Sequence, residues 1–346
     1  MHRFNAHCHL FLETNLDFDG RLVLLKGFFQ MLFFCRVAEL FYDDAYVTSA
    51  RLDNKENCLV TLMCLDASQK LSESYLNRHA AVFFSATLTP LPYYTGLLYG
   101  HRRHEKAESL LLGSPFPPEN LLVMICSNLS TRYRQRQETI QAILEMILTA
   151  VRQKTGNYLV FLPSHAYLQM IRTLLRGRKD RDDFDYLFQL RTMDEKTRRN
   201  YLGRFDHFGK RTLLAFAVLG GVFSEGIDLS GEKLAGVAIV GVGLPQICPE
   251  REIMSQYFGQ LLGSGYEYAY LFPGFNKVQQ AAGRVIRSES DRGFVLLIDD
   301  RYDQPVYRSL FPQEWQPRQV TSNEAVRETL QDFWGSPLPG EQLQPD

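Results

Sequence analysis

The chain has 346 residues, 45% of them hydrophobic and 22% charged, with a formal net charge of −1. That is apolar material for two domains, or for one domain with a large appendage. A passive nucleic-acid coat protein, which needs a strongly basic chain, is excluded; a nucleic-acid motor, which needs only a local basic track, is not.

At the start, His2, His7, Cys8 and His9 cluster, but adjacent residues point in different directions, so the segment reads as a loose terminus rather than a metal site. No basic stretch precedes an apolar core there, as a signal peptide would require. Residues 21–50 read as helical. The apolar patch Leu22–Phe34 is broken by Lys26, Gly27 and Gln30 and falls short of a membrane span; with no signal peptide either, a cytoplasmic location is expected if the source is bacterial. Residues 58–65 suit a buried strand, 68–77 a helix, and 80–85 another buried strand that runs into Ala86-Thr87-Leu88-Thr89-Pro90. Pro90 and Pro92 mark a loop or a helix start. Six cysteines, at positions 8, 35, 58, 64, 126 and 248, form no CxxC pair and suit buried thiols in a reducing compartment.

From about residue 110 the pattern turns regular. Strands are expected over 121–126, 158–162, 185–190, 212–218, 234–242 and 294–298. Helices are expected over 132–153, 164–176 (with Ser164 as its cap) and 194–208. Apolar strands alternating with helices predict a parallel sheet covered on both faces, an α/β fold. Residues 1–109 hold too few strands for such a sheet and read as the remnant of another domain; 110–311 form the regular unit. Residues 312–346, rich in Pro and Gln, read as a peripheral helix and a flexible tail.

Four segments carry chemistry. Gln280-Ala-Ala-Gly283-Arg284-Val-Ile-Arg287, placed on a helix, sets Arg284 and Arg287 on one face with Gln280 a turn below, and Gly283 permits close approach. Two guanidiniums on one face can clamp phosphate oxygens; the bland alternative is a solvated helix with arginines paired to Glu289 or Asp291. Gly220–Gly231 is a glycine-rich loop after a strand, where backbone N–H groups can face phosphate. Within it Asp228 suits a ribose hydroxyl or a water, and Glu225 suits loop ordering or a nucleic-acid contact; a plain connecting loop is the other reading. Ser85 and Thr87 at a strand end can exchange hydrogen-bond partners, though such triplets are mostly structural. Ser164 and Tyr167 follow a strand where a hydroxyl can hold a nucleic-acid backbone, or they are a helix cap and a surface aromatic. Arg132, Arg134 and Arg136 could track phosphates; Arg172, Arg176, Arg178, Lys179 and Arg181 interleave with Asp180, Asp182 and Asp183 and read as a solvated face. Gly203–Arg211 imitates a phosphate-binding loop but has the wrong spacing and no Ser or Thr after Lys210.

Taken in order, these segments resemble the DinG/XPD-like branch of superfamily 2 helicases. Val82–Pro90 with Tyr93 and Tyr94 is similar to that family's motif III. Gly113–Phe116 is similar to the start of its second motor domain, Val160–Ser164 with Tyr167 to motif IV, Ser224–Asp228 to motif V and Gln280–Arg287 to motif VI. The resemblance implies a RecA-like second motor domain and ATP-driven 5′-to-3′ translocation on single-stranded DNA, with unwinding at duplex junctions. It implies that Arg284 and Arg287 act as arginine fingers with Gln280 beside them, that Gly226, Asp228 and Gly283 face the nucleotide, that Ser164, Tyr167 and Glu225 lie toward DNA or the coupling path, and that Ser85 and Thr87 couple turnover to grip. ATP with Mg²⁺ is the implied cofactor, and an iron–sulfur cluster belongs to many such helicases. No GxxxxGK[ST] loop, Asp-Glu-x-His box or four-cysteine insertion occurs in these 346 residues. The expectation is therefore the C-terminal motor portion, inactive without an N-terminal helicase half as its partner. The alternative is a non-catalytic nucleic-acid-binding or partner-binding remnant of such a helicase.

Overall fold

A computed structural model of the chain describes residues 1–52, 57–75, 78–101, 107–180, 183–206, 210–221, 223 and 234–336. The chain divides into two units, residues 1–83 with 92–107 and residues 84–91 with 108–346.

The first unit begins with helices α1 (His2–Thr14) and α2 (Arg21–Leu40), which pack through Cys8, Leu12 and Phe28. The terminus expected to be loose is thus helical. Its histidines diverge: His2 meets Glu39 at 3.2 Å, His7 meets the Arg3 carbonyl at 2.6 Å, and His9 meets Glu13 at 3.5 Å. The helix expected over 21–50 stops at Leu40, and strand β1 (Tyr46–Leu52) follows. β1 pairs antiparallel with β2 (Cys58–Cys64) in an isolated hairpin. β2 was expected to be buried, but a two-stranded hairpin has no sheet to cover it, and its first four residues are exposed. Helices α3 (Ser68–Tyr75) and α4 (Leu91–Tyr99) complete the unit. Residues 80–85, expected to be a buried strand, join no strand among the described residues, and Val82 is 80% exposed.

The second unit is a seven-stranded, wholly parallel sheet with helices on both faces, as the apolar runs predict. Its elements in chain order are β3 (Leu121–Cys126), α5 (Arg136–Val151), β4 (Asn157–Leu162), α6 (His165–Arg176), β5 (Phe184–Phe188), α7 (Glu195–Gly203), β6 (Thr212–Val218), β7 (Gly236–Val240), α8 (Pro249–Leu262), α9 (Phe272–Ala282), β8 (Gly293–Ile298), α10 (Pro305–Arg308), β9 (Arg318–Gln319) and α11 (Asn323–Gly335). The strand order is β5-β6-β4-β7-β8-β3-β9. Central strands buried on both faces explain why they read as unbroken apolar runs. One core lies under α5, α6 and α11, with Ile143, Ile147, Leu168 and Leu330 fully enclosed. The other lies under α7 and α9, with Phe205, Phe275 and Val278 enclosed.

Two details differ from the sequence reading. Helix α5 starts at Arg136, so residues 132–135 form turns before it. The stretch after Pro312 is not merely peripheral: β9 extends the sheet beside β3, and α11 buries Val326 and Leu330 against the core. The Ser322 hydroxyl caps α11 by accepting from the Ala325 N–H at 3.1 Å. The tail expected beyond it, from residue 337, lies outside the described residues.

Candidate functional site

Helix α9 carries the glutamine and leads to the arginines. Its inner face is Phe275, Val278, Ala281 and Ala282, all buried, so Lys277 and Gln280 fall on the other side. A π-helical turn, Glu267–Leu271, feeds into it. Near its start the backbone of Gly274 meets that of Gly243: a Cβ on Gly243 would sit 2.2 Å from the Gly274 carbonyl oxygen, and Gly243 has φ +72°. Only glycine fits there on both counts.

The helix ends at Ala282. The Gly283 N–H donates to the Gln279 carbonyl at 2.8 Å, and the chain then turns toward β8. Arg284 and Arg287 therefore lie in a loop and not on one helical face. The reversal dictates this: the Asp291 carboxylate accepts the N–H groups of Arg287 and Ser288, each at 2.8 Å, and the Val285 side chain closes against Gly293. Asp291 thus serves the backbone of this loop. The Asn120 side-chain amide ties the loop to the start of β3 by donating to the Glu289 carbonyl at 2.9 Å. Arg284 is 5% exposed and Arg287 half-buried. Burial, and then the neighbouring Arg287 charge, push the Arg284 guanidinium down to about 10. A desolvated cation beside a second cation favours an incoming anion. Gln280 is half-buried one turn before Gly283; its neighbour Gln279 is enclosed and donates to the Leu310 carbonyl at 3.2 Å.

The glycine-rich loop begins at the carboxyl end of β6. Gly220 has φ +75°, and a Cβ on it would lie 2.8 Å from Lys277 Cδ. Lys277 thus reaches from α9 to Gly220. Lys277, three residues before Gln280 on α9, was not among the residues singled out from the sequence. Glu225, Gly226 and Asp228 lie outside the described residues.

At the carboxyl ends of β4, β3 and β8 a third group assembles. Ser164 is the cap of α6, its hydroxyl accepting the Tyr167 N–H at 3.2 Å. Tyr167 is 0% exposed, so its ring cannot lie against DNA as expected; in its position it packs with Leu168 and Ile171 in the core. Burial pushes its phenol far up, and the charges of Arg136 and Asp299 both reach the hydroxyl. Asp299 is fully buried and accepts from Arg301 at 2.7 and 2.9 Å and from the Thr131 hydroxyl. Burial alone would raise the Asp299 carboxyl; the Arg301 donors outweigh it and hold it below the usual range. Arg132 pairs with Asp300 at 3.2 Å. Elsewhere, Arg178 of the second basic group pairs with Glu145 and with Asp180 at 2.7 Å, and Arg181 lies outside the described residues. Ser85 and Thr87 hydroxyls lie 3.3 Å apart, and Ser85 also accepts the Thr87 N–H at 3.2 Å, a local turn.

Arg284 and Arg287 sit where β8 begins, whereas Gly220, Ser164 and Arg136 sit where strands end, at the opposite edge of the sheet. Among the described residues no group of three or more His, Cys, Asp or Glu could hold a metal ion, and the six cysteines are free. No described helix is long and apolar enough to cross a membrane.

Comparison with known proteins bears on this arrangement. Residues 147–318 match the helicase C-terminal domain family. The ATP-dependent DNA helicase CHL1 of Debaryomyces hansenii is 24% identical over 313 residues, covering 81% of this chain and 38% of that protein. The ATP-dependent DNA helicase DinG of Photobacterium profundum is 25% identical over 254 residues, covering 72% of this chain and 36% of the relative. This chain thus spans well under half the length of either relative. A solved XPD helicase structure superposes with a TM-score of 0.58 at 17% identity, covering 87% of this chain and 51% of that one, a likeness of fold.

Proposed function

Since this chain carries a helicase C-terminal domain of the DinG/XPD group, we propose that it is the second motor portion of an ATP-dependent DNA helicase. In that role Arg284 and Arg287 meet the γ-phosphate of ATP held by a first motor domain, with Gln280 and Gly283 beside them and Gly226 and Asp228 toward the nucleotide. The charge that develops on the transferred phosphoryl group is what such guanidiniums stabilise. ATP with Mg²⁺ supplies the phosphoryl-transfer chemistry when bound; this chain contributes cations and the turn that aims them. Ser164 and Glu225 lie toward single-stranded DNA, Ser85 and Thr87 couple turnover to grip, and Tyr167 acts through Arg136 rather than by touching DNA. Translocation is 5′-to-3′, with unwinding at duplex junctions.

One observation carries the reading: Arg284 is buried and destabilised as a cation, next to a second arginine, inside the family-matched segment. A guanidinium placed so is stabilised by an arriving phosphate. The chain alone has no phosphate-binding loop and no Asp-Glu-x-His box, so it is expected to show no DNA-stimulated ATP hydrolysis. Robust turnover by the purified chain, abolished in Arg287→Ala, would overturn the division of labour proposed here. The same sequence absence favours a second reading, a nucleic-acid-binding module without turnover. An N-terminal helicase half that restores hydrolysis when added to this chain, but not to Arg287→Ala, decides for the motor.

A further inference from the structure

The loop between β3 and α5 holds an aromatic residue that the sequence reading passed over. Tyr133 is 79% exposed. The guanidinium of Arg136 lies over one face of its ring, 4.2 Å from the centroid, and the Tyr167 ring lies 5.9 Å from the same guanidinium. The order is an open ring, a planar cation and an enclosed ring. The Tyr167 hydroxyl and Arg136 Nε are both enclosed without a hydrogen-bond partner among the described residues. The guanidinium is thus held there largely by stacking, not by a carboxylate.

The loop itself is tied down. The Asn128 amide donates to the Thr321 carbonyl at 2.9 Å, the Thr139 hydroxyl to the Ser130 carbonyl at 2.7 Å, and the Thr131 hydroxyl to Asp299. A ring fixed on one face by a cation and open on the other is a stacking surface prepared in advance. Arg132 and Arg134 flank it, both exposed, and it stands at the carboxyl edge of a parallel sheet. Aromatic faces interleaved with arginines suit a chain of phosphates that presents unpaired bases.

We infer that Tyr133 is a base-stacking residue of the nucleic-acid track, held in place by Arg136, with Tyr167 as the floor beneath. The inference rests on the DNA-binding part of the reading above and deepens it. The occupant is an unpaired nucleobase of single-stranded DNA, with its flanking phosphates toward Arg132 and Arg134.

The test is fluorescence anisotropy of labelled oligo(dT), and of the same backbone with abasic sites throughout, on the full chain. Tyr133→Ala is expected to weaken oligo(dT) binding about tenfold, Tyr133→Trp to preserve it, and neither to change binding of the abasic strand. Because Tyr133 is exposed, both variants should keep the wild-type urea midpoint, which is measured alongside. Equal oligo(dT) affinity for wild type and Tyr133→Ala sinks the stacking role and leaves the DNA-binding reading intact. An equal loss on both strands also sinks it, since Tyr133 would then only support phosphate contacts or a protein surface. Failure of the wild-type chain to bind either strand removes the DNA-binding reading, and this inference with it.

Discussion

Replacing Arg284 with methionine should make the folded chain more stable while removing its response to phosphate. Methionine has a similar reach, no charge, and the flexibility to fill the enclosed space. The magnitude follows from the site. Burial and Arg287 push the guanidinium from its ordinary value down to about 10. At about 1.36 kcal/mol per pH unit, holding that charge costs the folded state on the order of 3 kcal/mol. Arg284 keeps other interactions that offset part of this, so a net gain of about 1–2 kcal/mol is expected. The folded pKa of this base is lowered, so the cost is fully present at every pH below about 10 and is relieved only as pH rises through that value. The gain in Arg284→Met should therefore be flat between about pH 6 and pH 9. Urea unfolding of both proteins, with unchanged m-values, measures it. Pyrophosphate or ATP should raise the wild-type midpoint by mass action and leave the variant unmoved. A variant destabilised by several kcal/mol would refute the reasoning, because the guanidinium would then be a net structural anchor.

Asp299→Asn should cost about 3–5 kcal/mol at pH 7, since it leaves the Arg301 guanidinium buried without its carboxylate; urea midpoints check it. The folded Asp299 carboxyl is held low, so its contribution is present above the ordinary value of about 3.9 and is lost as pH falls below it. The gap between wild type and variant should narrow on acidification. Leu330→Ala on α11 should cost about 2–5 kcal/mol, because Leu330 is 0% exposed; an unchanged thermal midpoint would mean that α11 is not docked on the sheet.

The α/β unit was legible because its strands are enclosed on both sides, and enclosure leaves a run of apolar residues that a sequence shows directly. The same signal misled at residues 80–85, where no neighbouring strand is present to enclose the run. Tyr167 was misplaced for a readable reason: with Leu168, Ile171 and Leu175 it lies on the apolar side of α6, and helical periodicity alone would have buried it. Val326, Leu330 and Phe333 form an equally plain stripe on α11, hidden by the Pro- and Gln-rich residues around it. The loop geometry of Arg284 and Arg287 was beyond local reasoning. It depends on where β8 begins and on Asp291 folding the backbone back, and helix spacing cannot foresee a helix that stops.

The contact between Gly243 and Gly274 gives α9 a mechanical character. It pins the helix near its start, and the stretch from Gly274 to the helix end at Ala282 carries the chain about 12 Å further. A rod pinned at one end magnifies small rotations: a tilt of about 5° moves the far end by about 1 Å over that length. Positioning errors of about 1 Å can cost a reacting group about a hundredfold in rate. Asp291 fixes the turn that carries Arg284, and the seating of the two glycines fixes the helix that leads into it, so a methyl group added at either glycine would be felt as a change of angle at the other end of the helix.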